Sequence, residues 1–264
     1  MKIKYSPLSV ISFFSAVAFR AFGVLSSHGG VADIGFLTCV LLCILFIWAN
    51  TRKREFLSVC GVQGKSRKSI AVFSVVGCVG FFADFMFNAL RIHSIASSNQ
   101  GYTVVSLVTY GITGIIAIVC AVCMVMVAMS FSRNTRYDFR ELRVLNIAPL
   151  LWAMFKGASS LQEFSQILDL DAAVGYITVV FSILSFFCFA KEVDNDGNAY
   201  GFSAFSFKSF GCISVLNLFC QMVNAVTNQG DMLGVNTISS YIMLCVGLFS
   251  FSVGRSISQN SKAE

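Results

Sequence analysis

TVVSLVTYGITGIIAIVCAVCMVMVAMSF, residues 103–131, contains no charged side chain. About 20 apolar residues are enough for a helix to cross the hydrocarbon core of a bilayer, and this stretch is longer than that. Its apolar residues are continuous and do not alternate with polar ones. That pattern favours a helix over a strand, because only a helix satisfies its backbone hydrogen bonds within one segment. The stretch therefore predicts an all-α integral membrane protein.

The composition extends this prediction to the whole chain. Of 264 residues, 56% are hydrophobic and 12% are charged, and there are 27 Phe but 2 Pro, which is outside the usual range of a soluble domain. Apolar stretches of membrane-spanning length recur at 7–27, 31–50, 69–90, 103–131, 145–167, 172–190, 203–226 and 234–254. We therefore predict eight transmembrane helices.

The basic residues of the predicted loops all lie on one side of the membrane. That side holds Lys2, Lys4, Arg52, Lys53, Arg54, Lys65, Arg67, Lys68, Arg133, Arg136, Arg140, Arg143, Lys191, Arg255 and Lys262. The opposite loops hold essentially Arg91 alone. Because positively charged loops stay in the cytoplasm, both termini are predicted to be cytoplasmic, and the protein is predicted to lie in the plasma membrane.

The N-terminus has a second interpretation. Lys2 and Lys4, a short apolar run and Ala16-Val17-Ala18 also resemble a signal peptide with its cleavage site. Cleavage would leave seven spans and move the new N-terminus outside. An intact first helix gives the even number of spans that the alternating charges require, so we keep eight.

The net charge of +6 follows mostly from this arrangement of loops. Basic loops attract anionic headgroups, so membrane lipids are the partners that the charge indicates, and nucleic acid is not. The two histidines, His28 and His93, do not have the spacing of a helical metal-binding pair. We therefore predict no metal site and no cofactor, and the sequence indicates no particular protein partner.

Two parts of the chain resemble each other. GFLTCVLLCILF (35–46) returns as GYITVVFSILSF (175–186), and at the same spacing KSIAVFSVV (68–76) returns as KSFGCISVL (208–216). This similarity predicts two four-helix repeats, 1–132 and 133–264. Because four is an even number, both repeats enter the membrane from the same side, and a pseudo-two-fold axis along the membrane normal would relate them.

Four predicted helices carry polar side chains along one face. In the fifth helix Lys156, Ser160 and Glu163 follow one another at i, i+4 and i+7. Charges are costly to bury in a bilayer, so such residues face partners or water. The stripes predict a solute-binding site between the repeats, formed by Arg20, Asp84, Asn88, Lys156, Glu163, Asn217, Gln221 and Asn224.

Lys156 and Glu163 are two helical turns apart, about 10 Å along the axis, so each is expected to meet a group on another helix. We predict that Lys156 pairs with Asp84 and that Glu163 pairs with Arg20, around a solvated centre. Most of the polar residues lie past the midpoints of their helices. They therefore predict a vestibule that is open to the outside.

Three classes of function remain open. A transporter or permease for a small polar or charged solute fits the polar interior best. A non-transporting sensor or assembly subunit with a structural polar core is the alternative. A lipid-handling protein or an intramembrane enzyme is less well supported, because neither a G-x-S-x-G nor an H-E-x-x-H motif is present. Nothing in the sequence indicates a catalytic residue.

Overall fold

The computed structural model describes residues 5–25, 29–52, 56–57, 62, 65–97, 104–133, 143–163, 170–193, 198–199, 201–227 and 235–259. Eight α-helices account for most of these residues. They are α1 (Tyr5–Leu25), α2 (Gly29–Thr51), α3 (Lys65–Ser97), α4 (Val104–Arg133), α5 (Arg143–Glu163), α6 (Leu170–Val193), α7 (Gly201–Thr227) and α8 (Val235–Gln259). Two short strands, β1 (Phe56–Leu57) and β2 (Asn198–Ala199), complete the described elements.

Seven of these helices are long and apolar enough to cross a membrane, which fits a polytopic integral membrane protein. The eight predicted helices are all present, with ends within five residues of those expected, except for α3, which continues seven residues beyond its predicted end, and for α5. That helix ends at Glu163, and residues 164–167 of the predicted span lie outside the described part. With 21 residues α5 is long enough to span, but Asn146, Pro149 and Lys156 interrupt its apolar character.

The helices α3 to α8 form a closed ring. Each packs against the next one in the chain, and α3 packs against α8 to complete the circle. The hairpin of α1 and α2 lies outside this ring and packs on α7. The largest buried apolar cluster draws residues from all six ring helices, while two smaller clusters fill the contact between the hairpin and the ring.

The outer surface of the ring is apolar, as lipid contact requires. On α3, for example, Val72, Val75, Val79, Phe82 and Met86 recur at helical spacing and are all exposed. Such a continuous apolar face is rare on a soluble protein. It identifies the side of α3 that faces away from the ring.

Small residues allow α7 and α8 to approach closely. A side chain at Gly211 would overlap Phe251, and one at Gly247 would overlap Ser214. A Cβ at Gly254 would lie 2.8 Å from the Cβ of Phe207. Helices in a bilayer gain little from burying apolar surface, so close packing of this kind holds them together.

Several contacts join the chain at one end of the bundle, which we call the strand end. β1 pairs antiparallel with β2, with Phe56 opposite Ala199 and Leu57 opposite Asn198. Arg67 of α3 donates hydrogen bonds to the carbonyls of Phe131 (3.0 Å) and Ser130 (2.8 Å), which cap the last turn of α4. The opposite end, where α3 finishes at Ser97, is called the Ser97 end.

The contacts between helices do not show the predicted repeats. The pairs α1–α2 and α5–α6 correspond, as do α3–α4 and α7–α8. The extensive contact between α3 and α8, however, has no counterpart of similar extent between α4 and α7 among the described residues. The observed arrangement is a six-helix ring with a two-helix hairpin beside it.

Candidate functional site

An ion pair lies inside the helix ring. The Lys156 ammonium nitrogen (Nζ) is 2.6 Å from the Asp84 carboxylate oxygen Oδ1. Asp84 is 0% exposed and Lys156 is 7% exposed. The contact that the sequence predicted between these two residues is thus confirmed. The solvated centre predicted around them is not found, because both groups are buried among protein atoms.

A third side chain completes the environment of the carboxylate. Trp152 lies one turn before Lys156 on the same face of α5, and its indole nitrogen (Nε1) donates to Asp84 Oδ2 at 2.7 Å. Both carboxylate oxygens therefore accept a hydrogen bond. This role of Trp152 was not predicted from the sequence. The available signal was the i, i+4 spacing to Lys156, together with the need of a buried indole N–H for an acceptor.

The ion pair connects two helices that are not neighbours in the ring. α3 and α5 each pack extensively on α4, which lies between them, whereas their own backbone contact is minor. Asp84 and Lys156 therefore reach across the interior. Removing one partner of such a pair leaves a buried charge without its counter-ion, which typically costs about 3–5 kcal/mol.

Four aromatic rings pack together on the strand-end side of the ion pair. The ring centroids of Phe81 and Trp152 are 4.9 Å apart, those of Trp152 and Phe186 are 6.3 Å apart, and those of Phe186 and Phe210 are 6.2 Å apart. Phe81 precedes Asp84 by three residues and Trp152 precedes Lys156 by four. The backbone positions of these two aromatic residues are therefore about 5 Å nearer the strand end than those of the two charged residues. The four rings form an aromatic layer, which packs between the ion pair and the strand end.

Amide side chains lie on the other side of the ion pair. Asn88, one turn beyond Asp84, donates from Nδ2 to the Asp84 backbone carbonyl at 2.8 Å. Asn217 follows Phe210 by seven residues, about 10 Å along α7, and donates from Nδ2 to Ser240 Oγ at 3.0 Å. Both amides are buried. Gln221 and Asn224 continue α7 toward the Ser97 end and are partly exposed.

Not every buried amide lies on that side. Asn146 of α5 is toward the strand end, where its Oδ1 accepts a weak hydrogen bond from Cys123 Sγ at 3.7 Å. Some buried hydroxyls in this part of the bundle bond within their own helix, as Ser74 does to the Ile70 carbonyl at 2.8 Å, and others join two helices, as Ser185 and Ser250 do at 3.1 Å. The charged groups described inside the ring nevertheless lie beyond the aromatic layer, toward the Ser97 end.

Arg20 is not part of the ion-pair cluster. It lies on the hairpin outside the ring, and its Nη1 is 3.4 Å from Asp33 Oδ1 on α2. Asp33 was not predicted as the partner of Arg20. The signal was the short connection between α1, which ends at Leu25, and α2, which begins at Gly29, because it brings both charges to the same depth. The side chain of Glu163 lies outside the described part, so its predicted pairing with Arg20 stays a prediction.

Comparison with protein families, curated proteins and solved structures finds no match. Among the described residues, no three His, Cys, Asp or Glu side chains are arranged to hold a metal ion. The described side chains of the site combine one ammonium, one carboxylate and several amides in a buried interior, with aromatic rings packed on one side.

Proposed function

We propose that this chain is a membrane transporter or permease for a small polar or charged solute, in a closed conformation. The observation that carries the proposal is the buried Asp84–Lys156 pair, which connects two non-adjacent ring helices beside an aromatic barrier. An ionisable group within a membrane bundle is by default a functional hypothesis. Its partner here is identified, so the hypothesis can be stated in terms of specific atoms.

The proposed mechanism is an exchange of partners. A solute with a carboxylate or another anionic group replaces Asp84 at the Lys156 ammonium. Asp84 is then left without its counter-ion, which is costly for a buried carboxylate. Once α3 and α5 are no longer joined by opposite charges, they can separate. Solute binding would thus be coupled to opening of the ring.

The other predicted site residues take secondary roles in this proposal. Asn88, Asn217, Gln221 and Asn224 provide hydrogen bonds to the polar parts of the solute on the Ser97 side of the pair. Arg20 and Glu163 would act nearer that end, as attracting charges rather than as the central pair. With both termini cytoplasmic in a plasma membrane, the Ser97 end is the outer end.

We also propose that residues 1–132 and 133–264 are parallel repeats. The support comes from the short strands, because β1 lies between α2 and α3 and β2 lies between α6 and α7. These connections would be equivalent in two repeats. Their antiparallel pairing is the one that a two-fold axis between them would produce. In this view α1–α2 and α5–α6 are equivalent hairpins that pack differently.

Osmotic swelling of proteoliposomes tests transport without a known substrate. Vesicles with the protein are transferred to isotonic solutions of small carboxylates, amino acids, amides and sugars, and light scattering reports uptake. We expect faster swelling than in empty vesicles for at least one class. We also expect that class to lose its advantage when Lys156 is replaced by Gln. If vesicles with the protein swell no faster than empty vesicles in any of these solutes, the result would count against a transporter.

In the same proteoliposomes, the accessibility of single cysteines tests whether the aromatic layer separates the two ends of the bundle. In a cysteine-free background, Ser159→Cys lies beyond Lys156 and Ser206→Cys lies one turn before Phe210, on the other side of the aromatic layer. A transporter that changes conformation exposes Ser159→Cys to a small thiol reagent from the Ser97 side. Ser206→Cys should react only from the strand side.

The second candidate is a non-transporting subunit whose polar core is structural. One observation favours it, namely that both oxygens of Asp84 already accept hydrogen bonds at 2.6 and 2.7 Å. A scaffold predicts that neither Ser159→Cys nor Ser206→Cys reacts from either side. It also predicts that no solute class swells the vesicles.

A further inference from the structure

Lys208 is a basic residue inside the apolar span of α7. That helix begins at Gly201, directly after β2 at the strand end, so the backbone of Lys208 lies about 10 Å along the helix from that end. By contrast, Lys68 lies in the first turn of α3 and Arg133 in the last turn of α4. A lysine this far inside an apolar helix needs a polar environment for its ammonium group.

The stem of Lys208 packs against α8. A Cβ built on Gly254 would lie 3.1 Å from Lys208 Cγ, so the stem occupies the space where α8 has no side chain. Lys208 is half-buried by this contact. Side chains lean toward the N-terminus of their helix, and the N-terminus of α7 is at the strand end. The ammonium group is therefore directed toward the headgroups of the membrane, as in other snorkelling lysines.

A second cation, Arg255 of α8, lies beside this lysine. It follows Gly254 directly and is exposed. Ser256 Oγ donates to the Ser66 carbonyl at 3.3 Å, which places this part of α8 at the strand end. Phe251, one turn before Arg255 on the same face of α8, is also exposed. Two cationic side chains thus lie next to an exposed apolar surface.

This arrangement fits an anionic phospholipid. An ammonium has three N–H donors and a guanidinium has five, so both can donate to one phosphate in addition to contacts within the protein. Two like charges repel each other at the edge of a low-dielectric region, and a phosphate between them replaces this repulsion by attraction. Basic sites between membrane helices are known to bind anionic headgroups. The exposed ring of Phe251 continues the surface toward the hydrocarbon, where acyl chains lie.

We infer that Lys208 and Arg255 form a binding site for the phosphate of an anionic phospholipid, with an acyl chain against Phe251. The inference goes beyond the proposed function and does not depend on transport. Lys68 is aligned with Lys208 in the similar segments 68–76 and 208–216, but it is exposed at the start of its helix. It therefore offers a matched control.

Native mass spectrometry of the purified full chain tests this inference. Phosphatidylglycerol and phosphatidylcholine with the same acyl chains are titrated in detergent, and the bound lipids are counted. One basic residue near a membrane surface raises the affinity for anionic lipid about fivefold. We expect the first phosphatidylglycerol to bind at least about tenfold more tightly than phosphatidylcholine. Equal affinities for the two lipids would overturn the inference.

Three substitutions of a basic residue by Gln locate the site. Lys208→Gln and Arg255→Gln should each lower the affinity for the first phosphatidylglycerol about fivefold and leave that for phosphatidylcholine unchanged. Lys68→Gln removes the same charge at the same end of the bundle and should bind like the wild type. An equal loss in all three variants would show a general attraction of charges and contradict the assignment.

Two further variants and probes keep the test decisive. Lys208→Arg retains the charge and should retain the preference for phosphatidylglycerol. Arg255 is exposed, so its Gln variant tests the site even if Lys208→Gln does not fold. Inorganic phosphate has the anionic group without acyl chains, so millimolar phosphate should displace no more phosphatidylglycerol than chloride of equal ionic strength. Specific displacement by phosphate would show an anion site and overturn the assignment to a lipid.

Discussion

Replacing Asp84 by Asn should destabilise the bundle, and adding Lys156→Gln should restore most of the loss. The single change removes the counter-ion 2.6 Å from a buried ammonium, while Trp152 can still donate to the new amide oxygen. Breaking a buried pair in this way typically costs about 3–5 kcal/mol. The double variant contains no charge at this place, so the remaining cost is that of imperfect amide hydrogen bonds, about 1–2 kcal/mol.

The assay is thermal or denaturant unfolding of the purified protein in detergent, analysed as a double-mutant cycle. The protein has its own control pair. Arg20 and Asp33 also join two helices, but at 3.4 Å and with Asp33 40% exposed. The same neutral substitutions there should each cost less than those at Asp84 and Lys156, because the contact is longer and one partner is less buried.

Two results would refute this reasoning. The first is a pair of single variants at Asp84 and Lys156 that are as stable as those at Arg20 and Asp33. The second is a double variant that loses the sum of the two single losses, because the charges would then not be coupled. A stable double variant is also the best test of mechanism, since loss of solute uptake in a well-folded protein separates a transporter from a scaffold.

Three further outcomes are expected. Trp152→Phe keeps much of the aromatic packing but removes one donor to a carboxylate, which should cost about 1.5–3 kcal/mol in the same unfolding assay. Gly247→Ala should cost about 1–3 kcal/mol because the methyl group overlaps α7, whereas Gly111→Ala should be near neutral. Single cysteines at Ser97 and Gly61 should react with impermeant reagents from outside and inside respectively, and the reverse pattern would invert the proposed orientation.

The helices could be predicted from the sequence because bilayer thickness fixes the length of an apolar segment. The Asp84–Lys156 contact could be predicted because a buried charge needs a partner, and few candidates exist in so apolar a chain. The role of Trp152 was not predicted because a tryptophan in an apolar helix is usually interpreted as a packing residue. Its donor role depends on which helix faces α5, which a single sequence does not specify.

The lateral order of the helices was the hardest feature to predict. In water, an apolar stripe indicates the side of a helix that faces the core. In a bilayer both lipid and core are apolar, so the direction is decided by close contacts of small residues such as Gly211 and Gly247. The ring of α3 to α8, with α1 and α2 outside it, depends on contacts of this kind. A repeat in the sequence does not determine them.

The strand end holds the chain together in a way that limits how the bundle can move. The β1–β2 pairing, the approach of Gly201 to the Thr51 carbonyl and the Arg67 cap all lie at that end. If the helices tilt about these contacts, their displacement is smallest at the strand end and largest at the Ser97 end. Along α3, about 50 Å long, a tilt of about 5° displaces the Ser97 end by about 4 Å. At Asp84, about 28 Å from the start of α3, the same tilt gives about 2.5 Å. That displacement is similar to the 2.6 Å that separates the charges of Asp84 and Lys156.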